Sequence, residues 1–169
     1  MEKFHEIRAE EITGNPFAMI GTQWMLVTAQ KPDGSVNTMT ASWGGVGVIW
    51  GKNAAYVVIR PQRYTKEFID SAECFSLTFF PEEYKKALSY LGSVSGRDED
   101  KIAKSGLHVV TGDGAPYFEE SRLVLQCRKM YHQDFVKEGF YSEKLPEQFY
   151  GVGDYHTLYI VEIEKVLTK

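Results

Sequence analysis

Two loops in the first half of the chain carry side chains that suit a phosphorylated ligand with a flat ring. The first, residues 40–45, combines hydroxyl groups with small residues and the indole of Trp43. The second, residues 60–66, brings three cationic side chains close to a tyrosine and a threonine. Hydroxyl and amide groups beside a basic loop favour a phosphate that is joined to an aromatic ring. Flavin mononucleotide (FMN) is a ligand of this kind.

The first loop is the expected ring-binding side. Asn37, Thr40 and Ser42 can form hydrogen bonds, and the small residues among and after them let a ring approach the backbone closely. A flavin needs such directional groups, because its reduction adds charge near N1 and a proton at N5. The alternative is the edge of a strand rich in Ser and Thr, with Trp43 in the core. The predicted ring-binding residues are Asn37, Thr40, Ala41, Ser42 and Trp43.

The second loop and a third segment, residues 95–101, are the expected phosphate-binding side. A helix that begins near Thr65 would direct free N–H groups at an anion, which nearby guanidinium groups would neutralise. Residues 95–101 repeat this design, with Lys101 one turn into a helix. The alternative is a solvated basic loop whose cations pair with Glu67 and Asp70. The predicted phosphate-binding residues are Arg60, Arg63, Tyr64, Thr65, Ser95, Gly96, Arg97 and Lys101.

Length and charge exclude several classes of protein. A chain of 169 residues, of which 43% are hydrophobic, is expected to form one globular domain, residues 1–169. Its net charge of -4 argues against a nucleic-acid or anionic-membrane partner, which would favour a basic surface. No stretch reaches the ~18 apolar residues of a membrane span, and the polar N-terminus shows no signal peptide. We therefore expect a cytoplasmic protein.

The cysteines and histidines do not have the spacing of a metal site or of a catalytic nucleophile. Cys74 and Cys127 each lie in an apolar run, so we expect two reduced, buried thiols. The four histidines are far apart in the sequence, and no metal is expected. Tyr131 and His132 end a predicted strand and could face the ring, whereas no role is assigned to His156. The catalytic residues stay unidentified at this point.

Hydrophobic patterning predicts a mainly β protein. In the segment 123–131, apolar and polar residues alternate, as expected for a strand with one buried face. Six or so strands with short helices between them favour a closed antiparallel barrel, because closure removes exposed sheet edges. The glycines at 44, 45 and 47 lack the spacing of a dinucleotide-binding motif and predict a flexible loop that leads into a short apolar strand. Strands are predicted at residues 24–30, 36–41, 54–59, 74–80, 123–131 and 156–166, and helices at 65–72 with Thr65 as its cap, at 82–91, and between a cap at Asp98 and a stop at Gly106.

Three motifs in this chain resemble those of a known family. N-x-M-T-x-S-W at residues 37–43, R-P-x-R-Y-T at 60–65 and S-G-R-D-E-D-K at 95–101 are similar to the flavin reductase-like proteins, which include flavoredoxins and ferric reductases. The resemblance extends from about Ile12 to the C-terminal strand. It implies an FMN-binding split barrel, that is, a six-stranded antiparallel Greek-key barrel with short helices. It also implies that residues 40–43 line the isoalloxazine ring.

The resemblance implies a flavoprotein oxidoreductase. NAD(P)H would deliver hydride to the flavin, which would then reduce free flavin, a ferric complex or a partner protein. One alternative is an FMN-binding electron carrier, similar to flavoredoxin, that has no NAD(P)H activity of its own. Another is a barrel that binds a different phosphorylated ligand, as in relatives of the pyridoxamine-phosphate oxidases.

The resemblance further implies a homodimer with the flavin close to the subunit interface. Residues 133–150 are predicted to form a loop with five aromatic residues, which would leave a large apolar patch on a monomer. The alternative is that this segment folds back and covers its own barrel.

Overall fold

The computed structural model describes residues 3–169 and shows an antiparallel β fold with short helices. No helix in this part of the chain has the length and apolar character needed to cross a membrane. The strands are β1 (His5–Ile7), β2 (Met25–Gln30), β3 (Val36–Ala41), β4 (Gly44–Ile49), β5 (Lys52–Ile59), β6 (Cys74–Phe79), β7 (Val109–Val110), β8 (Tyr117–Phe118), β9 (Leu123–Asp134) and β10 (Thr157–Thr168). The α-helices are α1 (Tyr64–Ser71), α2 (Lys85–Ser93), α3 (Lys101–Ser105) and α4 (Lys144–Phe149), and shorter helical segments occupy Ala9–Glu11, Ala18–Gln23, Glu82–Tyr84 and Lys137–Gly139.

Eight strands form one sheet in the order β3-β2-β6-β9-β10-β5-β4, and β1 pairs with the far end of β10. The strands β9 and β10 are each 12 residues long, so their ladder joins the two halves of the sheet. Bulges interrupt this ladder after Ile160 and after Ile163, and bulges increase the twist of a sheet. The sheet wraps around the larger of two apolar cores as a split barrel. This confirms the predicted fold class, with eight strands in the sheet rather than six.

Two apolar cores hold the elements that carry the site. The main core lies inside the barrel and includes Met25 and Phe75, which are fully buried. A second core packs α2 against the other face of β2, through Leu26, Leu88 and Leu91. β2 contributes to both cores because successive side chains of a strand point to opposite faces. The position of α2 relative to β2 and β3 is therefore set by packing on the outside of the barrel.

The prediction of a flexible loop at residues 44–47 is wrong, because the strand β4 begins at Gly44. A Cβ atom at Gly44 would lie 2.5 Å from the carbonyl oxygen of Tyr56, and one at Gly45 would lie 2.4 Å from the Tyr56 ring. Glycine at both positions is what allows β4 to lie so close to β5. The sequence pattern shows the glycines but not the strand against which they pack.

The starts of two helices also differ from the prediction. α1 begins after Arg63, and the side chain of Thr65 is buried rather than capping the helix. α3 is capped by Asp100, whose carboxylate accepts a hydrogen bond from the Ala103 N–H at 3.1 Å, and not by Asp98. Both errors are small shifts along the chain, because several residues near each helix start can act as caps.

The segment at residues 133–150 is more ordered than predicted, since it contains the end of β9 and the helix α4. Tyr150 is buried, and Phe149 packs edge-on against Trp43 with ring centroids 5.2 Å apart. Tyr141, by contrast, is fully exposed. Most of these aromatic rings therefore cover their own barrel, which corrects the expectation that the segment forms a large exposed patch.

We expect the substitution Leu77→Ala to lower the free energy of unfolding by about 2–5 kcal/mol. Leu77 lies on β6 in the barrel core and is only 2% exposed, so the truncation would leave a cavity. The matched control is Leu145→Ala on α4, where the side chain is 46% exposed and the loss should be below about 0.5 kcal/mol. Urea denaturation followed by circular dichroism measures both. Equal losses in the two variants would contradict the described core.

Candidate functional site

A pocket of about 430 Å³ opens where β3 ends, beside the loop before α1 and the start of β10. Its volume lies in the range of roughly 300–1,000 Å³ that is typical of small-ligand sites. All of the residues at 40–43 line it, so the structure brings the predicted ring-binding loop to a cavity. The lining residues are Met39, Thr40, Ala41, Ser42, Trp43, Val58, Arg60, Gln62, Arg63 and His156.

The C-terminal end of α2 holds two cationic side chains: Arg63, which lines the pocket, and Lys101, which does not line it but lies close enough to Arg63 to feel its charge. The guanidinium of Arg63 donates to the Gly92 carbonyl oxygen at 2.9 Å. The ammonium of Lys101 donates to the carbonyl oxygens of Leu91 and Val94, at 2.8 and 2.9 Å. The last carbonyl groups of a helix have no partner within the helix, so they attract cations. The backbone of α2 thus fixes both cations in place.

Neither of these two cations has a carboxylate partner within 4 Å among residues 3–169. Lys101 is nonetheless only 4% exposed. Burial, together with a smaller effect of the nearby Arg63 charge, lowers the pKa of Lys101 to about 8. Burial also lowers the pKa of Arg63, with a smaller contribution from Arg60. The arrangement is two neighbouring positive charges without a countercharge, which an anion would stabilise.

The N-terminus of α1 lies at the same place, because Arg63 is its N-cap residue. No side chain among residues 3–169 caps this end of the helix, so the N–H groups of Tyr64 and Thr65 lack the partner that a Ser or Asp would provide, whereas that of Lys66 bonds the Arg63 carbonyl oxygen at 3.0 Å. The partial positive charge of a helix N-terminus favours an anion. The N-terminus of α1 and the two cations therefore all favour the binding of an anion at this place.

A buried contact joins the three predicted motifs behind the pocket. The Asn37 side-chain amide on β3 donates to the Thr65 hydroxyl oxygen on α1 at 2.9 Å. A Cβ atom at Gly96 would lie 2.4 Å from Oδ1 of Asn37, so residue 96 must be glycine for the three segments to meet. Asn37 and Thr65 are buried and do not line the pocket, in contrast to the prediction that they contact the ligand. They hold the phosphate-side loops against β3.

Other predicted phosphate-binding cations are ion-paired within the chain. Arg60 forms a salt bridge with Asp154 and donates to the Phe149 carbonyl oxygen at 2.9 Å. Arg97 bonds the Glu67 carboxylate at 2.5 Å and lies over the ring of Tyr64, 4.6 Å from its centroid. Arg97 thus has the Glu67 partner that the alternative named, whereas Arg60 pairs with a different carboxylate and still lines the pocket. The sequence could not separate them from Arg63 and Lys101.

The remaining members of the third motif shape a turn. The Ser95 hydroxyl oxygen accepts the backbone N–H of Arg97 at 3.1 Å. The Arg97 guanidinium also donates to the Gln62 carbonyl oxygen at 3.1 Å, which ties this turn to the loop before α1. Ser95, Tyr64 and Arg97 thus fall outside the lining of the pocket and brace the two loops against each other.

Sequence reasoning missed four lining residues: Met39, Val58, Gln62 and His156. His156 is the residue just before β10, and its ring centroid is 5.1 Å from that of Trp43. Burial, together with a smaller effect of the Arg60 charge, lowers the pKa of His156 to about 4, so the imidazole is neutral at pH 7. The sequence shows that His156 lies in an aromatic stretch at 155–159. Such a stretch does not show that the start of this strand lies at the pocket.

A second cavity, of about 280 Å³, lies between the N-terminal segment and β4. Its lining is apolar apart from a few residues, and its one charged lining residue is Glu10, which accepts a hydrogen bond from Asn53 at 2.8 Å. Without a cation, this cavity does not suit a phosphorylated ligand. A third cavity, of about 620 Å³, is lined by Lys137 but also by Glu138, Glu143 and Glu147, so its acidic lining disfavours a phosphate. The pocket beside Arg63 is therefore the candidate site.

Comparisons with known proteins bear on the fold and the family. No curated protein matches the sequence significantly. The flavoredoxin of Desulfovibrio vulgaris (Miyazaki F) is 25% identical, with a TM-score of 0.68 over 88% of this chain and 70% of that one. An FMN-binding domain of a flavin reductases-like enzyme from Shewanella baltica OS155 is 16% identical, with a TM-score of 0.69 over 98% and 77% of the two chains. The styrene monooxygenase flavin reductase of Pseudomonas putida S12 is 15% identical, with a TM-score of 0.64 over 87% and 79%.

The sequence also matches a domain described as flavin reductase like, over residues 17–169. This match includes all three motifs and every residue that lines the pocket. It covers the chain from the segment before β2 to the end of β10. The chain therefore belongs to the flavin reductase like domain family.

Proposed function

We propose that this protein is an FMN-binding oxidoreductase. The observation that carries the proposal is the pair of fixed cations, Arg63 and Lys101, which have no carboxylate partner among residues 3–169. A phosphate would supply the missing negative charge through charge-assisted hydrogen bonds, which are roughly twice as strong as neutral ones. The names of the D. vulgaris and S. baltica relatives support a flavin, and specifically FMN, as the molecule that carries this phosphate.

The pocket next to these cations suits the ring of FMN. Ala41 and Ser42 are small, so a flat ring can approach the backbone at the end of β3. Trp43 is 42% exposed and offers an aromatic edge or face at the mouth of the pocket. The Thr40 hydroxyl donates to the Leu88 carbonyl oxygen at 2.5 Å, so only its oxygen is left to accept a hydrogen bond from a ligand. Hydroxyl, backbone and aromatic groups thus line one pocket that is large enough for a small ligand.

In the proposed reaction, bound FMN would supply the electron-transfer chemistry, accepting a hydride and passing on its electrons. The residues of this chain bind and orient the cofactor. Arg63 and Lys101 would hold the phosphate, and residues 40–43 would hold the ring. The salt bridge from Arg60 to Asp154 keeps the segment at 149–156 against the pocket, where it excludes water from one side. A general acid or base is not required for hydride transfer.

We propose NAD(P)H as the electron donor, and a flavin, a ferric complex or a protein as the acceptor. The name of the P. putida flavin reductase supports a flavin as acceptor, and the donor follows from the resemblance to the flavin reductase-like proteins. A second candidate function is that of an electron carrier that another protein reduces. The higher identity to the D. vulgaris flavoredoxin favours this candidate.

We also propose that two copies of the chain form a homodimer. The outer face of β4, β5 and β10 presents Tyr56, Val58, Leu158 and Ile160 around a shallow apolar cavity of about 480 Å³, with no charged residue in its lining. Tyr56 is 47% exposed. A twofold pair would cover this face with the same face of the second copy. Light scattering at micromolar concentration tests the proposal, and a monomeric mass would reject it.

We propose the cytoplasm as the place of action. Cys74 and Cys127 are unpaired, and burial raises the pKa of both thiols, which keeps them protonated. Reduced thiols are usual in the cytosol. Fractionation of the source cells would test this, and recovery in a membrane or secreted fraction would contradict it.

Replacing Lys101 by Met should weaken FMN binding by about one to two powers of ten, because one charge-assisted contact to phosphate is worth roughly 1.5–3 kcal/mol. Lys104→Met on the same helix is the matched control, since Lys104 is 61% exposed and pairs with Glu99. Fluorescence titration of the apo proteins with FMN measures the affinities, and thermal melting checks the fold. Equal affinities in wild type and Lys101→Met would reject Lys101 as a phosphate ligand.

If the protein is a reductase, the purified FMN-bound form should oxidise NADH or NADPH continuously when free flavin or a ferric chelate is present. The measurement is the fall in absorbance of the reduced nicotinamide under anaerobic conditions. A carrier would instead show no bleaching of its flavin by either nucleotide, while dithionite would still reduce it. That outcome would reject the reductase proposal and leave the FMN site in place.

A further inference from the structure

The wall of the pocket opposite the cations contains a hydrogen-bonded pair of side chains whose roles the proposed function does not explain. The Tyr150 hydroxyl oxygen lies 2.8 Å from Nδ1 of His156, and both residues are buried. His156 lines the pocket, whereas Tyr150 does not and instead lines the separate cavity of about 620 Å³. The hydrogen bond therefore connects His156, which faces the ligand space, to Tyr150, which does not.

The direction of this hydrogen bond follows from the partners of the two side chains. The Tyr150 hydroxyl has no hydrogen-bond partner other than Nδ1 of His156 within residues 3–169. If Nδ1 donated the hydrogen, the buried hydroxyl would be left with no acceptor, which is costly. Burial raises the pKa of Tyr150, so the hydroxyl keeps its proton and can donate it. The favoured arrangement is therefore O–H of Tyr150 donating to Nδ1 of His156.

The second ring nitrogen of His156 must then carry the hydrogen. A neutral imidazole has one N–H, and the nitrogen that accepts a hydrogen bond cannot be the one that holds it. Burial and the Arg60 charge disfavour the doubly protonated form, and the opposing effect of Asp154 is smaller. Nε2 has no hydrogen-bond partner among the described residues. It is left to donate to a molecule in the pocket.

Tyr150 is itself held firmly. Its ring packs on that of Tyr155, with centroids 4.8 Å apart, and the Arg60 guanidinium lies 5.3 Å from its ring centroid. Arg60 also binds the carbonyl oxygen of Phe149, the residue before Tyr150. The hydroxyl is therefore fixed in place before any ligand binds, and it can orient the imidazole without a conformational change.

We propose that Tyr150 is a positioning residue that holds His156 in the Nε2–H tautomer, and that His156 donates this hydrogen to an acceptor atom of a bound flavin ring. The ligand atom that it recognises is a carbonyl oxygen or an unprotonated ring nitrogen. The identity of the ligand rests on the proposed function. The tautomer of His156 does not depend on the proposed function, because residues of this chain determine it.

The tautomer can be measured in the apo protein at pH 7 by long-range ¹H–¹⁵N correlation spectroscopy of the histidine rings. We expect His156 to show a protonated Nε2 and an unprotonated Nδ1. In Tyr150→Phe the restraint is lost, and the Nδ1–H form should become populated. Tyr155→Phe is the matched control, because it keeps the ring packing and leaves the Tyr150 hydroxyl intact. A protonated Nδ1 in wild type, or an unchanged tautomer in Tyr150→Phe, would overturn the positioning role.

Titration with FMN tests the contact to the ligand. His156→Leu removes the donor and should weaken binding by about two- to tenfold, the value of one neutral hydrogen bond. His156→Gln offers an N–H near the position of Nε2 and should restore most of that loss. Equal weakening in both variants would overturn the donor role. If wild type does not bind FMN at all, the flavin contact and the proposed function fail together, while the tautomer result stands or falls separately.

Discussion

Two positive charges, one buried and one half-buried, that have no carboxylate partner among residues 3–169 are the feature on which the account of this site depends. Arg63 and Lys101 are held by carbonyl groups at the end of α2, which satisfy their hydrogen bonds but leave their net charge uncompensated. Such an arrangement is costly for a chain that gains nothing from it, because buried cations lose hydration and repel each other. An anion removes both costs. The site is thus incomplete in electrostatic terms until a negatively charged ligand is present.

The fold supports this site through α2. The second core presses α2 against β2, so the carbonyl groups at its C-terminus are fixed relative to β3. The Thr40 hydroxyl bonds to the carbonyl oxygen of Leu88, which ties the same helix to the ring-binding loop. The bond between Asn37 and Thr65 then places α1 beside them. Phosphate side and ring side are therefore positioned by a few contacts that all involve β3 or α2.

The sequence predicted more of the fold than of the site. Short apolar runs bounded by turn residues located most of the strands, although alternation was clear only at residues 123–131, because strands such as β2 and β6 are buried on both faces. The order of the three motifs predicted that residues 40–43 and Arg63 belong to one site, and these residues do line the same pocket. It could not show that Arg60 and Arg97 are neutralised, since Asp154 lies 94 residues from Arg60 and Glu67 lies 30 from Arg97. His156 was not assigned for the same reason: its place in the pocket depends on how β10 pairs with β5.

The dependence of FMN affinity on pH tests the central claim most directly. Lys101 has a pKa of about 8 in the free protein, and a bound phosphate would favour its charged form. Since the FMN phosphate keeps a constant charge above pH 7, the affinity should fall as pH rises above about 8, by up to tenfold per pH unit. Riboflavin, which has no phosphate, should show no such fall, and Lys101→Met should abolish it for FMN. An FMN affinity that stays constant from pH 7 to pH 9.5 would contradict the account.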